Sequence, residues 1–128
     1  MILGFKKQFV AAVANGTKPH SIRAGKRWRE GMNIQFYTDV RQRTMRKIRP
    51  DGVAQEVLDC FIEDSRQLGT KMFLPRICLA GRMLMANECQ ELARNDGFPD
   101  FARMLEWFRA NHGLPFDGQL IHWTDLRY

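Results

Sequence analysis

Glycine and proline punctuate this chain so often that it can only fold as a series of short elements. Ile2-Leu3-Gly4-Phe5 reads as a short strand. Lys7 to Ala14 carries Phe9, Val10 and Val13 at helical spacing, and Asn15-Gly16 ends that helix, because glycine takes the left-handed position after a last turn. Pro19 then forces extended chain, so His20 to Arg23 is expected as a strand. Met32 to Tyr37, with Met32, Ile34 and Phe36 on one face, is the next strand. Thr38 to Gln42 is a turn, and Thr44 to Arg49 a further strand closed by a Pro50-Asp51-Gly52 turn. Val53 to Ile62 fits a strand or a helix, the strand being favoured with Val57 and Phe61 inside, and Met72 to Leu79 reads as the first arm of a hairpin turning at Ala80-Gly81.

Helices return near the end. Asn87 is the expected N-cap of one that stops at Asp96-Gly97. Pro99-Asp100 opens another, with Phe101, Met104, Leu105 and Phe108 on one stripe, ending at Gly113. Gly118 to Trp123 is a closing strand. Short strands mixed with helices predict an α+β domain built around a small barrel. Phe98, Trp107, Trp123, Met83, Met85 and Met104 are expected in its core.

The chain has 128 residues and no Ser/Gly/Pro-rich linker, so one domain over 1–128 is expected. Its start is apolar first and charged second, the reverse of a secretory signal, and its apolar runs are too short to span a bilayer. Cys60, Cys78 and Cys89 are odd in number and spaced neither for a disulfide framework nor for zinc. Reduced thiols in a cytoplasmic protein are the expectation. There is no Gly-rich phosphate loop and no H-E-x-x-H, so no cofactor or metal is expected.

Charge is distributed unevenly. Residues 1–50 hold 12 Lys/Arg against two acidic residues, a balance of +10, whereas residues 51–128 hold 8 against 12, a balance of −4. A basic half points to an anionic partner, RNA or a nucleotide-like ligand. Within it, Lys26, Arg27, Trp28 and Arg29 combine cations with one aromatic ring. Such a loop can hold single-stranded nucleic acid, the ring stacking on a base and the cations on the backbone. Arg41 and Arg43, with Lys47 and Arg49, fall at mostly alternate positions. On a strand they form one basic stripe, a candidate phosphate track. Arg23 can clamp a phosphate or a base edge bidentately.

Three segments in order resemble the ASCH family. Gly16-Thr17-Lys18-Pro19-His20-Ser21-Ile22-Arg23 is similar to its "G-x-K-x-x-T-I-R" opening. Ala93-Arg94-Asn95-Asp96-Gly97-Phe98 is similar to its "A-x-x-[DE]-G-F" turn between helices, and Gln119 to Trp123 to its last strand. Tyr37 to Arg46 resembles a branch common in phages and prophages. The resemblance implies a PUA-like β-barrel with helices beside a cleft, and RNA-related work. Some members of the family remove the acetyl group from N4-acetylcytidine, and others have been credited with ribonuclease activity. A non-catalytic module binding nucleic acid or protein is the alternative.

Family amidohydrolases use a Lys, a Thr and a Glu. By position these fall on Lys18, Ser21 and Asp96. Both departures keep the functional group, a hydroxyl and a carboxylate, while the aspartate is one methylene shorter. A hydroxyl attacks only when a base takes its proton. Lys18 serves as that base only if burial and a neighbouring cation such as Arg23 lower its pKa, and a close Asp96 works against this.

Overall fold

The computed structural model describes residues 1–64 and 74–128. Among them are strands β1 (Ile2–Phe5), β2 (His20–Ala24), β3 (Asn33–Thr38), β4 (Arg46–Val53), β5 (Glu56–Glu63), β6 (Arg76–Leu79), β7 (Arg82–Met83) and β8 (Phe116–His122), and helices α1 (Lys7–Asn15), α2 (Ala86–Asn95) and α3 (Phe101–Asn111). The α+β class holds. Among the described residues the strands form two open sheets, with orders β1-β3-β4 and β2-β8-β5-β6-β7, and not a closed barrel. β1 runs parallel to β3, and every other pairing is antiparallel.

Aromatic rings join the two sheets. Phe36 of β3 meets Trp123, just after β8, edge-on at 5.0 Å, and Phe5 of β1 meets the same indole at 6.1 Å. On the other side of the core Phe108 of α3 packs edge-on against Phe116 of β8 at 4.9 Å. The stripe read in the sequence, Phe101, Met104, Leu105 and Phe108, is buried throughout. β8 lies between β2 and β5 and is buried at all but Asp117. A side chain at Gly118 would lie 2.2 Å from the Arg23 carbonyl, so only glycine lets β2 approach here.

Several boundaries differ from the sequence reading. Pro50-Asp51-Gly52 is no turn but the interior of β4, whose register against β3 shifts between Ile34 and Phe36 and again between Phe36 and Tyr37. β4 is an edge strand, where a bulge tolerates proline. In β5 the fully buried positions are Cys60 and Ile62, while Val57 and Phe61 are only partly buried. The N-cap of α2 is Met85, not Asn87; the Glu88 carboxylate reaches back and accepts from the Met85 N–H at 2.9 Å. Met83 and Met85 are 58% and 69% exposed, so only Met104 of the three methionines joins the core. Residues 72 and 73 of the expected hairpin arm lie outside the described residues. The hairpin turn itself is present, with Ala80 and Gly81 both at positive φ.

Cys60, Cys78 and Cys89 are free, and burial raises the pKa of Cys60 and Cys89. No helix among the described residues is long and apolar enough to cross a membrane.

Candidate functional site

The site is assembled where α1 ends and where α2 turns into α3. Gly16 caps α1 in the left-handed region, and the Lys18 N–H donates to the Ala12 carbonyl at 3.0 Å. The chain therefore doubles back and carries Lys18 inward. Gly97, at φ 102, reverses the chain after α2; a side chain there would lie 2.9 Å from the Phe9 ring. The turn is thereby pressed onto α1, and Asp96 comes to the Lys18 amine.

Lys18 is 2% exposed and Asp96 4%. Lys18 Nζ donates to Asp96 Oδ1 at 2.7 Å and to the Asp96 carbonyl at 2.6 Å. The shorter aspartate therefore spans the gap. Burial lowers the Lys18 pKa, with Asp96 opposing and Arg23 adding to the fall. For Asp96, burial pushes upward, but Lys18 and His20 outweigh it and hold the carboxyl below its ordinary value.

Behind Asp96 stands a chain of groups the sequence reading missed. His20, fully buried, places Nδ1 3.1 Å from Asp96 Oδ1 and Nε2 against the Tyr128 hydroxyl. Burial lowers the His20 pKa and raises that of Tyr128, so both are neutral at pH 7. One arrangement of protons satisfies every contact. Asn95 Nδ2–H donates to the Tyr128 oxygen at 3.0 Å. Tyr128 O–H donates to His20 Nε2, and His20 Nδ1–H donates to Asp96. His122 pairs with His20 across β2 and β8, its ring 5.2 Å from that of His20. Both His122 ring nitrogens are buried without a hydrogen-bond partner among the described residues. The strand register that makes this pair was not readable from sequence; only the positions of the two histidines in adjacent expected strands hinted at it.

Ser21 and Arg23 lie on the opposite face of β2, as alternation requires. Arg23 Nε donates to Ser21 Oγ at 3.0 Å, and its guanidinium lies 4.8 Å from the Phe5 ring centre. Burial pulls the Arg23 pKa down to about 10, with Asp96 opposing and Arg27 adding to the fall; it stays charged at neutral pH. Lys18 makes its hydrogen bonds to Asp96 and not to Ser21. A cavity of about 230 Å³ is lined by Lys18, Ser21, Arg23 and Asp96 together with Phe5, Phe9, Phe98, Trp107 and His112. The three residues matched by position thus share one cavity with Arg23. Phe98 and Trp107, expected as packing residues, also form part of its wall.

The other basic residues separate. Lys26 is held by Asp117 at 2.8 Å, by the Gly118 carbonyl at 2.7 Å and by Asp59 at 3.2 Å. Trp28 is 3% exposed, and its backbone is clasped by the Gln119 amide, which accepts from the Trp28 N–H and donates to its carbonyl, each at 3.0 Å. A ring so buried is a poor stacking platform. Arg41 and Arg43 precede β4 and lie in a turn, Arg41 at φ 66. They do not share a strand face with Lys47 and Arg49, so the continuous stripe is not formed. Arg27 and Arg41 instead line an open trough beside the cavity, and Arg43 lies outside it. Among the described residues no group of three or more His, Cys, Asp or Glu is arranged to hold a metal.

Comparison with models of known families, with curated proteins and with solved structures gives no match.

Proposed function

We propose that this protein is an ASCH-like, cytoplasmic domain that binds RNA or a modified nucleoside, with one base entering the cavity around Lys18, Ser21, Arg23 and Asp96. The observation that carries this reading is the cavity's construction. Aromatic rings wall it, and a buried lysine, a half-buried arginine, one carboxylate and one hydroxyl converge on it. A planar heterocycle needs such a slot, apolar on its faces and polar at its edge. Ser21 Oγ accepts from Arg23, which leaves its own O–H to donate to a ligand. The family resemblance and the basic first half of the chain point the same way.

A second reading, amide hydrolysis, is favoured by one observation. Lys18 is a buried lysine of lowered pKa in the same cavity as a serine hydroxyl. In that reaction Lys18 first gives up its extra proton; Ser21 Oγ then attacks the acyl carbon and its proton passes to the Lys18 amine. That proton then goes to the departing amino group of the base, and water releases the acid from the acyl-serine. The step requires Lys18 to turn from Asp96 toward Ser21, and hydrogen bonds of this kind often tighten only around substrate.

Incubation with N4-acetylcytidine and, separately, with labelled single-stranded RNA tests both readings. Base recognition predicts binding that weakens in Lys18→Ala. Hydrolysis predicts deacetylation abolished in both Lys18→Ala and Ser21→Ala. No binding of nucleoside or RNA by the wild type overturns the proposal.

A further inference from the structure

Beside the smaller cavity lies the open trough, of about 840 Å³. The two share Gly4, Arg23 and Ala24 in their walls, so they adjoin. Arg23, Arg27 and Arg41 line the trough, and no acidic residue does. Among the described residues, neither Arg27 nor Arg41 forms an ion pair. This contrasts with Lys26, only one residue from Arg27, which two carboxylates neutralise. Arg27 is near enough to Arg23 to act on its pKa, so two like charges adjoin on this wall, with Asp96 countering only at Arg23.

The backbone is also committed to this arrangement. Arg41 sits at φ 66, a conformation unfavourable for a side chain other than glycine's. It follows Val40, whose Cγ2 lies 2.8 Å from where a side chain at Gly4 would begin. Only glycine at position 4 admits the turn so close to β1. A strained residue whose charge is left unpaired, at the rim of a cleft, is a mark of function more often than of stability.

Size divides the labour. The cavity is smaller than the ~300–1,000 Å³ of sites that take a whole drug-sized ligand. It has room for one ring system, and the trough that adjoins it at Gly4, Arg23 and Ala24 is the nearest place for the remainder of the ligand. We infer that the trough is a phosphate subsite: Arg27 and Arg41, with Arg23 at the junction, hold a phosphate of the same ligand whose base occupies the cavity. The ligand class is therefore a nucleotide or an RNA strand and not a free nucleoside. This inference rests on the base-binding reading of the cavity.

The test is titration of the purified protein with N4-acetylcytidine, its 5′-monophosphate and a short single-stranded RNA, repeated with the double variant Arg27→Ala/Arg41→Ala. Charge-assisted hydrogen bonds predict that the phosphorylated ligands bind about tenfold or more tightly than the nucleoside. That ratio should collapse toward one in the double variant, and Arg27→Lys/Arg41→Lys should recover part of it. Both arginines are exposed, and an unchanged unfolding midpoint would confirm that the variant folds. A gain with the monophosphate identifies a terminal phosphate, whereas a gain with RNA alone identifies the backbone. Binding of the nucleoside as tightly as of both phosphorylated ligands, or an undiminished ratio in the double variant, overturns the phosphate subsite and leaves the base pocket standing. No binding of any of the three overturns both.

Discussion

Lys18 and Arg41 both belong to the basic half of the chain, and they live under opposite constraints. Lys18 is buried, with its amine on a carboxylate and a carbonyl, and that carboxylate is held from behind by a histidine, a tyrosine and an asparagine. Arg41 is exposed, without an ion pair among the described residues, and on a strained backbone. Desolvation makes every polar group around Lys18 interdependent, because each lost partner strands a buried charge. Water screens Arg41, so its removal should disturb little except what binds there. The difference separates a cavity whose charges hold the fold together from a trough whose charges are available to a ligand.

The largest effect expected is that of Lys18→Ala. It leaves Asp96 buried without its cation and should cost about 3–5 kcal/mol in urea unfolding. Replacing both partners with apolar residues, Lys18→Met with Asp96→Leu, should cost much less than the two single changes added together. A loss below about 1 kcal/mol for Lys18→Ala would put Lys18 on the surface and erase the contrast with Arg41.

Gly97→Ala comes next. The new methyl meets the Phe9 ring at 2.9 Å and the backbone stays at φ 102. About 2–3 kcal/mol of stability should be lost. Base binding should weaken too, since the turn that carries Asp96 must move. Stability unchanged in this variant would mean that the turn is not pressed against α1.

The third prediction concerns pH. Burial, with His20 and Arg127 adding, lowers the pKa of His122 from 6.5 to about 4. The unfolded chain therefore binds a proton that the folded chain refuses between those values. The stability due to neutral His122 is complete above pH 6.5 and drains away as pH falls toward about 4. His122→Phe removes both unpartnered nitrogens and should flatten that part of the profile, followed by thermal melts across the range. A profile as steep as that of the wild type would assign the acid sensitivity to other groups.

What the sequence disclosed follows a physical pattern. Local chemistry was legible: Gly16 and Pro19 marked the exit of α1, and Asp100 capped α3, accepting from the Arg103 N–H at 2.8 Å. The Lys18, Ser21 and Asp96 cluster was legible only through the resemblance of two short motifs to those of a family, not from local chemistry. Whatever depends on distant partners was hidden. Trp28 is buried because Gln119, far along the chain, clasps its backbone. His20 became part of the site because Asp96 and Tyr128, both far along the chain, meet its two ring nitrogens. Met83 and Met85 looked like core by residue type, but they sit on and after a two-residue edge strand. Whether strands close into a barrel is likewise decided by sheet packing, which residue patterns do not encode.

The smallest expected effect is also the sharpest check on the comparison. Arg41→Gly relieves the positive φ and removes a side chain that has no ion pair. The unfolded chain gains freedom in return, so the net gain should be about 0.5–1 kcal/mol. The analogous change at Lys18 would be ruinous. If Arg41→Gly stabilises the fold while the advantage of phosphorylated ligands over the nucleoside falls, the arginine is kept at a cost in stability for the sake of binding. If it destabilises by more than about 1 kcal/mol, Arg41 is structural after all. The trough would then be the cavity's support and not its extension.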